Sequence, residues 1–342
     1  MTTPPEQARR IIFPNPGEVT LEGYELEAPA PDDLLIRTLY SLMSIGTETT
    51  ILHRRYAPDS HFARMFSFPQ LQTGVQAVGV VEQAGAEQSD FNAGDLVYMR
   101  MAHGSHQVQA ASQCSPIPTG IDLKLACWAG LAKTAYRAAW AGEFGSDQDV
   151  LIIGAGPVGQ MLTRWASVMQ CPQITVVDIS PYRLAHATAG GATKVLQGDI
   201  SNHLQEIQTL NNGNGPSLVI DITGSAKVFQ SALAAAGKFA KVIVLGDTGH
   251  PQQQCLSSDV MTKGLTIQAT HDSHDLDGWT ERRVDELFFS LVASGRFELQ
   301  NLISHTFLPQ SCAQAYQLAD TERETTMGIL FTSCHLCCEG LA

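Results

Sequence analysis

The stretch Val150-Leu151-Ile152-Ile153-Gly154-Ala155-Gly156-Pro157-Val158-Gly159 is an apolar run that enters a Gly-x-Gly-x-x-Gly turn and leads into a helix-like segment, Gln160 to Gln170. Gly154 suits a tight exit from a strand. Gly156 lets the backbone approach a pyrophosphate with no Cβ in the way, and Gly159 lets the next helix pack closely on the sheet. Pro157 and Val158 complete the turn, and the helix N-terminus offers an anion free N–H groups and the positive end of its dipole. A glycine triplet alone is equally compatible with a plain strand-to-helix turn. The next residues narrow the choice, because Gln173-Ile174-Thr175-Val176-Val177 reads as a second strand ending at Asp178, where a carboxylate would hold the two hydroxyls of an adenosine ribose. Strand, turn, helix, strand and acid in this order predict a dinucleotide-binding unit.

Asp178 also bears on the cofactor. A 2′-phosphate held about 4 Å from it would be repelled by roughly 4 kcal/mol per charge pair at an effective dielectric near 20. NAD is therefore expected ahead of NADP, unless Arg183 swings in to compensate.

At 342 residues the chain exceeds the usual single-domain size, so two domains are expected. Apolar residues make up 44%, enough for packed cores. Only 16% are charged and the net charge is −13, which argues against nucleic acid and anionic membrane as partners. A small molecule or another protein is the expected partner. No apolar run is long enough to span a membrane, and Met1 to Arg10 lacks the apolar core of a signal peptide, so a cytoplasmic protein with reduced thiols is expected.

The first hundred residues hold short β-like runs, among them Leu34–Tyr40, Val78–Glu82 and Asp95–Met99, which suggest a small β-barrel-type domain. Leu123 to Ala141 reads as a largely buried helix. After the glycine turn, the strands Leu218–Asp221, Lys241–Gly246 and Leu265–Ala269 alternate with helices, the pattern of a parallel doubly wound sheet with ligands at the carboxyl ends of its strands. An amphipathic helix is predicted from Trp279 to Gly295, with Val284, Leu287, Phe288 and Leu291 on one face, and strand-like segments follow around Ile303 and Ile329–Phe331.

Together these features resemble the medium-chain dehydrogenase/reductase superfamily, the alcohol-dehydrogenase-like enzymes. The resemblance rests on Ser44-Ile45-Gly46-Thr47-Glu48, Thr73 to Val81, Ala93-Gly94-Asp95, Gly154 to Gly159, Asp221-Ile222-Thr223-Gly224, Gly246 and Leu302-Ile303-Ser304-His305. It implies an α/β chain with a GroES-like β-barrel catalytic domain (residues 1–131 and 276–342) and a Rossmann NAD-binding domain (132–275). It also implies a homodimer or tetramer paired through the sheet edge near Leu265 to Ala269. In zinc-dependent members the first anchor reads Cys-Gly-Thr-Asp and the second Gly-His-Glu, and a third ligand precedes the helix that enters the cofactor domain. The matching positions here are Ile45, Val75 and Gly130, and the four-cysteine loop of the structural zinc has no counterpart. A zinc-free member is expected.

With no metal there, another group must hold the substrate oxygen. Thr47 matches a hydroxyl that bonds the substrate oxygen in the family, and equally could cap a helix beginning near Glu48. Glu48 is a candidate acid or base, or else a first-turn carboxylate favoured by the helix dipole. The resemblance sets Thr134 against the nicotinamide, with Lys133 before it as a possible proton carrier or a lysine reaching out to solvent. Thr223 and Gly246 join the glycine turn among the expected cofactor contacts. His271 and His274 follow the last strand of the sheet, a place for ligands and equally for a solvated loop. Cys334-His335-Leu336-Cys337-Cys338 has metal-like spacing without a distant second pair, and reads as a frayed tail. The expected activity is hydride transfer between NAD and a secondary alcohol or carbonyl of sugar, polyol or cyclitol kind. The alternatives are a quinone- or enoyl-type NAD(P)H reductase and a catalytically silent dinucleotide-binding protein.

Overall fold

The computed structural model describes residues 8–87, 90–274 and 278–333. Six parallel strands form one sheet in the order Lys194–Gln197, Gln173–Asp178, Asp149–Ile153, Leu218–Asp221, Lys241–Val244, Thr266–Ala269. This is the doubly wound Rossmann order, and the glycine turn leaves the strand at which the order reverses. The inner strands are apolar because helices cover both faces. Val150 to Ile153 and Leu218 to Ile220 are all buried.

The second body is built on the strand Asp33–Leu42, which pairs antiparallel with Ala77–Ala84, His106–Ala110 and Gly328–Thr332. The seven-stranded sheet around it is joined to a three-stranded sheet, Thr20–Tyr24, Ala8–Phe13 and Leu71–Gln72, by a bridge between Arg10 and Gly104. These sheets give the GroES-like architecture. The chain's last strands return to it after the Rossmann sheet is complete.

The helix expected over Leu123 to Ala141 is two pieces, Leu123–Ala126 and Ala129–Ala141, broken at Cys127 and Trp128. Both residues are fully buried in a core that joins the two sheets. The amphipathic helix forms as Glu281–Ala293 and buries Val284, Phe288 and Leu291 as expected, leaves Leu287 half-buried, and buries Asp285 and Phe289 in addition. Its partner Tyr136 meets Trp165 at 5.0 Å between ring centroids, and the Trp165 indole donates to the Ala132 carbonyl at 2.8 Å. Among the described residues no helix is long and apolar enough to cross a membrane.

Candidate active site

The glycine turn has three distinct jobs. Gly154 sits at φ +104°, a conformation that a side chain disfavours. At Gly156 an added Cβ would find only the end of the Arg183 side chain, 3.7 Å away, so the backbone there faces open space. At Gly159 the same atom would stand 2.0 Å from the Gly154 carbonyl oxygen. The third glycine therefore lets the helix Pro157–Val168 close on the turn itself, and no other residue fits. No side chain caps that helix, whose N-cap is Gly156 and whose first residue is Pro157, with Val158 half-buried beside it. Its N-terminal N–H groups are free for an anion.

Asp178 ends the strand Gln173–Asp178 and is largely buried. Its carboxylate accepts from the Ala155 N–H at 2.7 Å and the Ser180 N–H at 2.8 Å, which ties it to the turn. Arg183 lies nearby and donates to the Arg323 and Thr326 carbonyls. Across the switch point, the Asp221 carboxylate accepts from both the backbone and the hydroxyl of Thr223. Gly246 packs against the Gly224 N–H and the Ile222 carbonyl, where a Cβ would come within 2.5 Å of both. An open turn, an uncapped helix end and a strand-terminal carboxylate fit a dinucleotide.

Glu48 has another occupation. The helix starts at Ile45 with Ser44 as its N-cap, earlier than expected, so Thr47 lies half-buried within the first turn and does not cap it. Glu48 is 1% exposed. One carboxylate oxygen accepts from the Ser44 N–H at 2.7 Å; the other accepts from Thr73 at 2.7 Å and from Tyr316, and faces His103 Nε2 at 3.2 Å. Burial alone would raise its pKa, but the His103 imidazole and the hydrogen bonds outweigh that and hold it below the usual carboxylate range. His103 is itself braced by Ser41 at 2.8 Å. This carboxylate ties the helix to Thr73, His103 and the helix Cys312–Thr321 that carries Tyr316.

Lys133 is buried and ion-paired with Glu281 at 2.7 Å, while Arg100 reaches Asp272 at 2.5 Å. The expectation of a lysine free to exchange protons or to snorkel meets a side chain committed to an ion pair. Thr134 donates to the Gly130 carbonyl at 3.0 Å.

His271 keeps its side chain 40% exposed and is braced by Ser273. The His61 ring lies 5.4 Å from it, centroid to centroid, and His61 Nε2 stands 3.8 Å from Asp247. Burial pushes the Asp247 carboxyl above its ordinary range, against the pull of both imidazoles. Sequence reasoning missed His61, Asp247, His103, Thr73 and Tyr316. Asp247 was within its reach, since it follows Gly246 at a strand's carboxyl end. The cysteine-rich tail from Cys334 lies outside the described residues.

A family model described as zinc-binding dehydrogenase matches residues 157–280. Sorbitol dehydrogenase of Arabidopsis thaliana is 24% identical over 323 residues, covering 84% of each chain. L-threonine 3-dehydrogenase of Bacillus licheniformis is 28% identical over 169 residues, and the match spans 49% of this chain and about half (47%) of that relative. An Escherichia coli oxidoreductase/dehydrogenase of unknown specificity, involved in membrane biogenesis, superposes with a TM-score of 0.84 at 19% identity, over 96% of this chain and 99% of that one. The chain thus resembles zinc-binding dehydrogenases in its cofactor-binding half and shares its fold with an alcohol-dehydrogenase-like oxidoreductase along nearly its whole length.

Zinc-binding members of the medium-chain superfamily set a test for the residues present here. Ile45 is buried, Val75 half-buried, and a Cβ on Gly130 would strike the Tyr98 hydroxyl and the Gln76 amide at 2.5 and 2.8 Å. None of the three supplies a donor side chain. Burial pushes the pKa of the Cys127 thiol well above its ordinary value.

Proposed function

We propose that this protein is a medium-chain dehydrogenase that transfers hydride between a nicotinamide dinucleotide, NAD in preference to NADP, and a secondary alcohol or its carbonyl, without a metal at Ile45, Val75 and Gly130. The observation that carries this reading is the glycine turn closed by Gly159 with Asp178 beside it. The similarity to a sorbitol dehydrogenase over 84% of each chain favours a sugar, polyol or cyclitol substrate.

When bound, the dinucleotide supplies the hydride acceptor or donor. The helix N-terminus at Gly156 and Pro157 binds the pyrophosphate, Asp178 the ribose hydroxyls, and Thr223, Gly246 and Thr134 line the cofactor's path. The Thr47 hydroxyl orients the substrate oxygen. With Glu48 and Lys133 committed elsewhere, the half-exposed His271 imidazole takes or returns the proton. A positioned acid–base group contributes about a hundred- to ten-thousand-fold.

Calorimetric titration tests the cofactor half: one NAD per chain should bind, and binding should survive a chelator. No saturable binding would overturn it.

The strand Thr266–Ala269 is the edge of the Rossmann sheet, and Phe239 and Met261 stand 85% and 86% exposed on this side of the domain. We read this edge as the contact of a homodimer or tetramer. Light scattering should return twice or four times the chain mass, and a monomer at micromolar concentration would contradict it.

A further inference from the structure

We propose that His61, Asp247 and His271 bind one divalent transition-metal cation of the zinc type, at a place separate from Ile45, Val75 and Gly130. His61 opens the short helix His61–Met65, Asp247 follows the strand Lys241–Val244, and His271 follows the strand Thr266–Ala269. Three distant segments thus converge. One ligand-capable atom from each lies within 4.8 Å of the other two.

Two imidazole nitrogens and one carboxylate oxygen are a donor set that suits zinc, cobalt or nickel. Tetrahedral ligands about 2.0–2.1 Å from zinc stand about 3.4 Å from one another, so the site closes by small side-chain rotations. The side chains have that freedom, being 42%, 38% and 40% exposed for His61, Asp247 and His271. The surroundings favour a cation as well. Asp247 is partly desolvated between two imidazoles, and a metal would satisfy all three at once. Outside the triad, the Ser273 hydroxyl lies 2.7 Å from His271 Nδ1 and can accept its proton, the kind of support that orients a histidine ligating through its other nitrogen.

Three protein donors leave a fourth position for water or another ligand, as in open zinc sites. Occupancy would also take up the imidazole assigned above to the proton, so the metal should inhibit hydride transfer. That consequence rests on the proposed function; the site does not.

The test uses untagged, chelator-stripped protein titrated with zinc by calorimetry and with cobalt by absorption. One cation per chain should bind, with a cobalt spectrum that lacks thiolate charge transfer. His61→Gln and His271→Gln should each weaken binding at least a hundredfold with the circular dichroism unchanged. Replacing Cys334, Cys337 and Cys338 by serine, or His203→Gln, should leave binding intact. Absence of saturable binding, unchanged affinity in the His61→Gln/His271→Gln double variant, or loss of binding in the serine variant would overturn the site. NAD titration of the same samples reads the cofactor site independently, so the two proposals fail separately.

Discussion

Replacing Asp178 by asparagine is expected to close most of the gap between NAD and NADP. The parent should favour NAD, because a ribose 2′-phosphate about 4 Å from this carboxylate meets roughly 4 kcal/mol of repulsion per charge pair, near three decades in affinity. Solvent at the mouth reduces that figure, so about a ten- to thousandfold shift toward NADP is expected. Asparagine is the better probe than alanine. Asp178 also accepts from the N–H groups of Ala155 and Ser180, and the amide oxygen keeps an acceptor for the turn while removing the charge. Arg183, beside the turn, would meet the added phosphate by exchanging its bonds to the Arg323 and Thr326 carbonyls. Comparative titration with the two cofactors checks this. Equal affinities in the parent would show that Asp178 does not face the ribose, and would move the chain toward the NAD(P)H reductase reading.

Glu48→Ala should destabilise the fold by about 3–5 kcal/mol, the range for removing one partner of a buried pair. The loss leaves the Thr73 and Tyr316 hydroxyls and His103 Nε2 without their shared acceptor. The pH dependence has a definite sign. The folded pKa of Glu48 lies below its unfolded value, so its contribution is complete above the ordinary carboxylate range and is lost as pH falls through the depressed value. Urea unfolding at neutral pH measures the first effect and a pH series the second. A change under about 1 kcal/mol would mean that the network is dispensable.

The two halves of the chain differed in how much they disclosed. Gly154 to Gly159 and Asp178 act over a few residues and one strand-turn-helix unit, so their spacing, with the alternating strands and helices that follow, was enough to predict the Rossmann sheet. Glu48 shows the opposite case. Its partner hydroxyls are 25 and 268 residues away in sequence, and only the packed fold brings Thr73 and the helix residue Tyr316 to one carboxylate. Read locally, Glu48 was either a catalytic acid or a helix-end charge; it is in the first turn, and buried besides. Lys133 misleads for the same reason, since Glu281 lies on a helix 148 residues on. His271 was visible from its place after a strand, whereas His61 carries no local signal of its meeting with it.

Hydride transfer without a metal at Ile45, Val75 and Gly130 is what we propose for this protein. Its most direct test is turnover by chelator-treated protein across a panel of sugars, polyols and cyclitols with NAD, followed by NADH formation. The account predicts NADH from at least one secondary alcohol, at a rate that added zinc does not raise and that falls in Thr47→Val and His271→Gln. Cofactor binding with no turnover on any of the panel, or turnover only after zinc is restored, would contradict it.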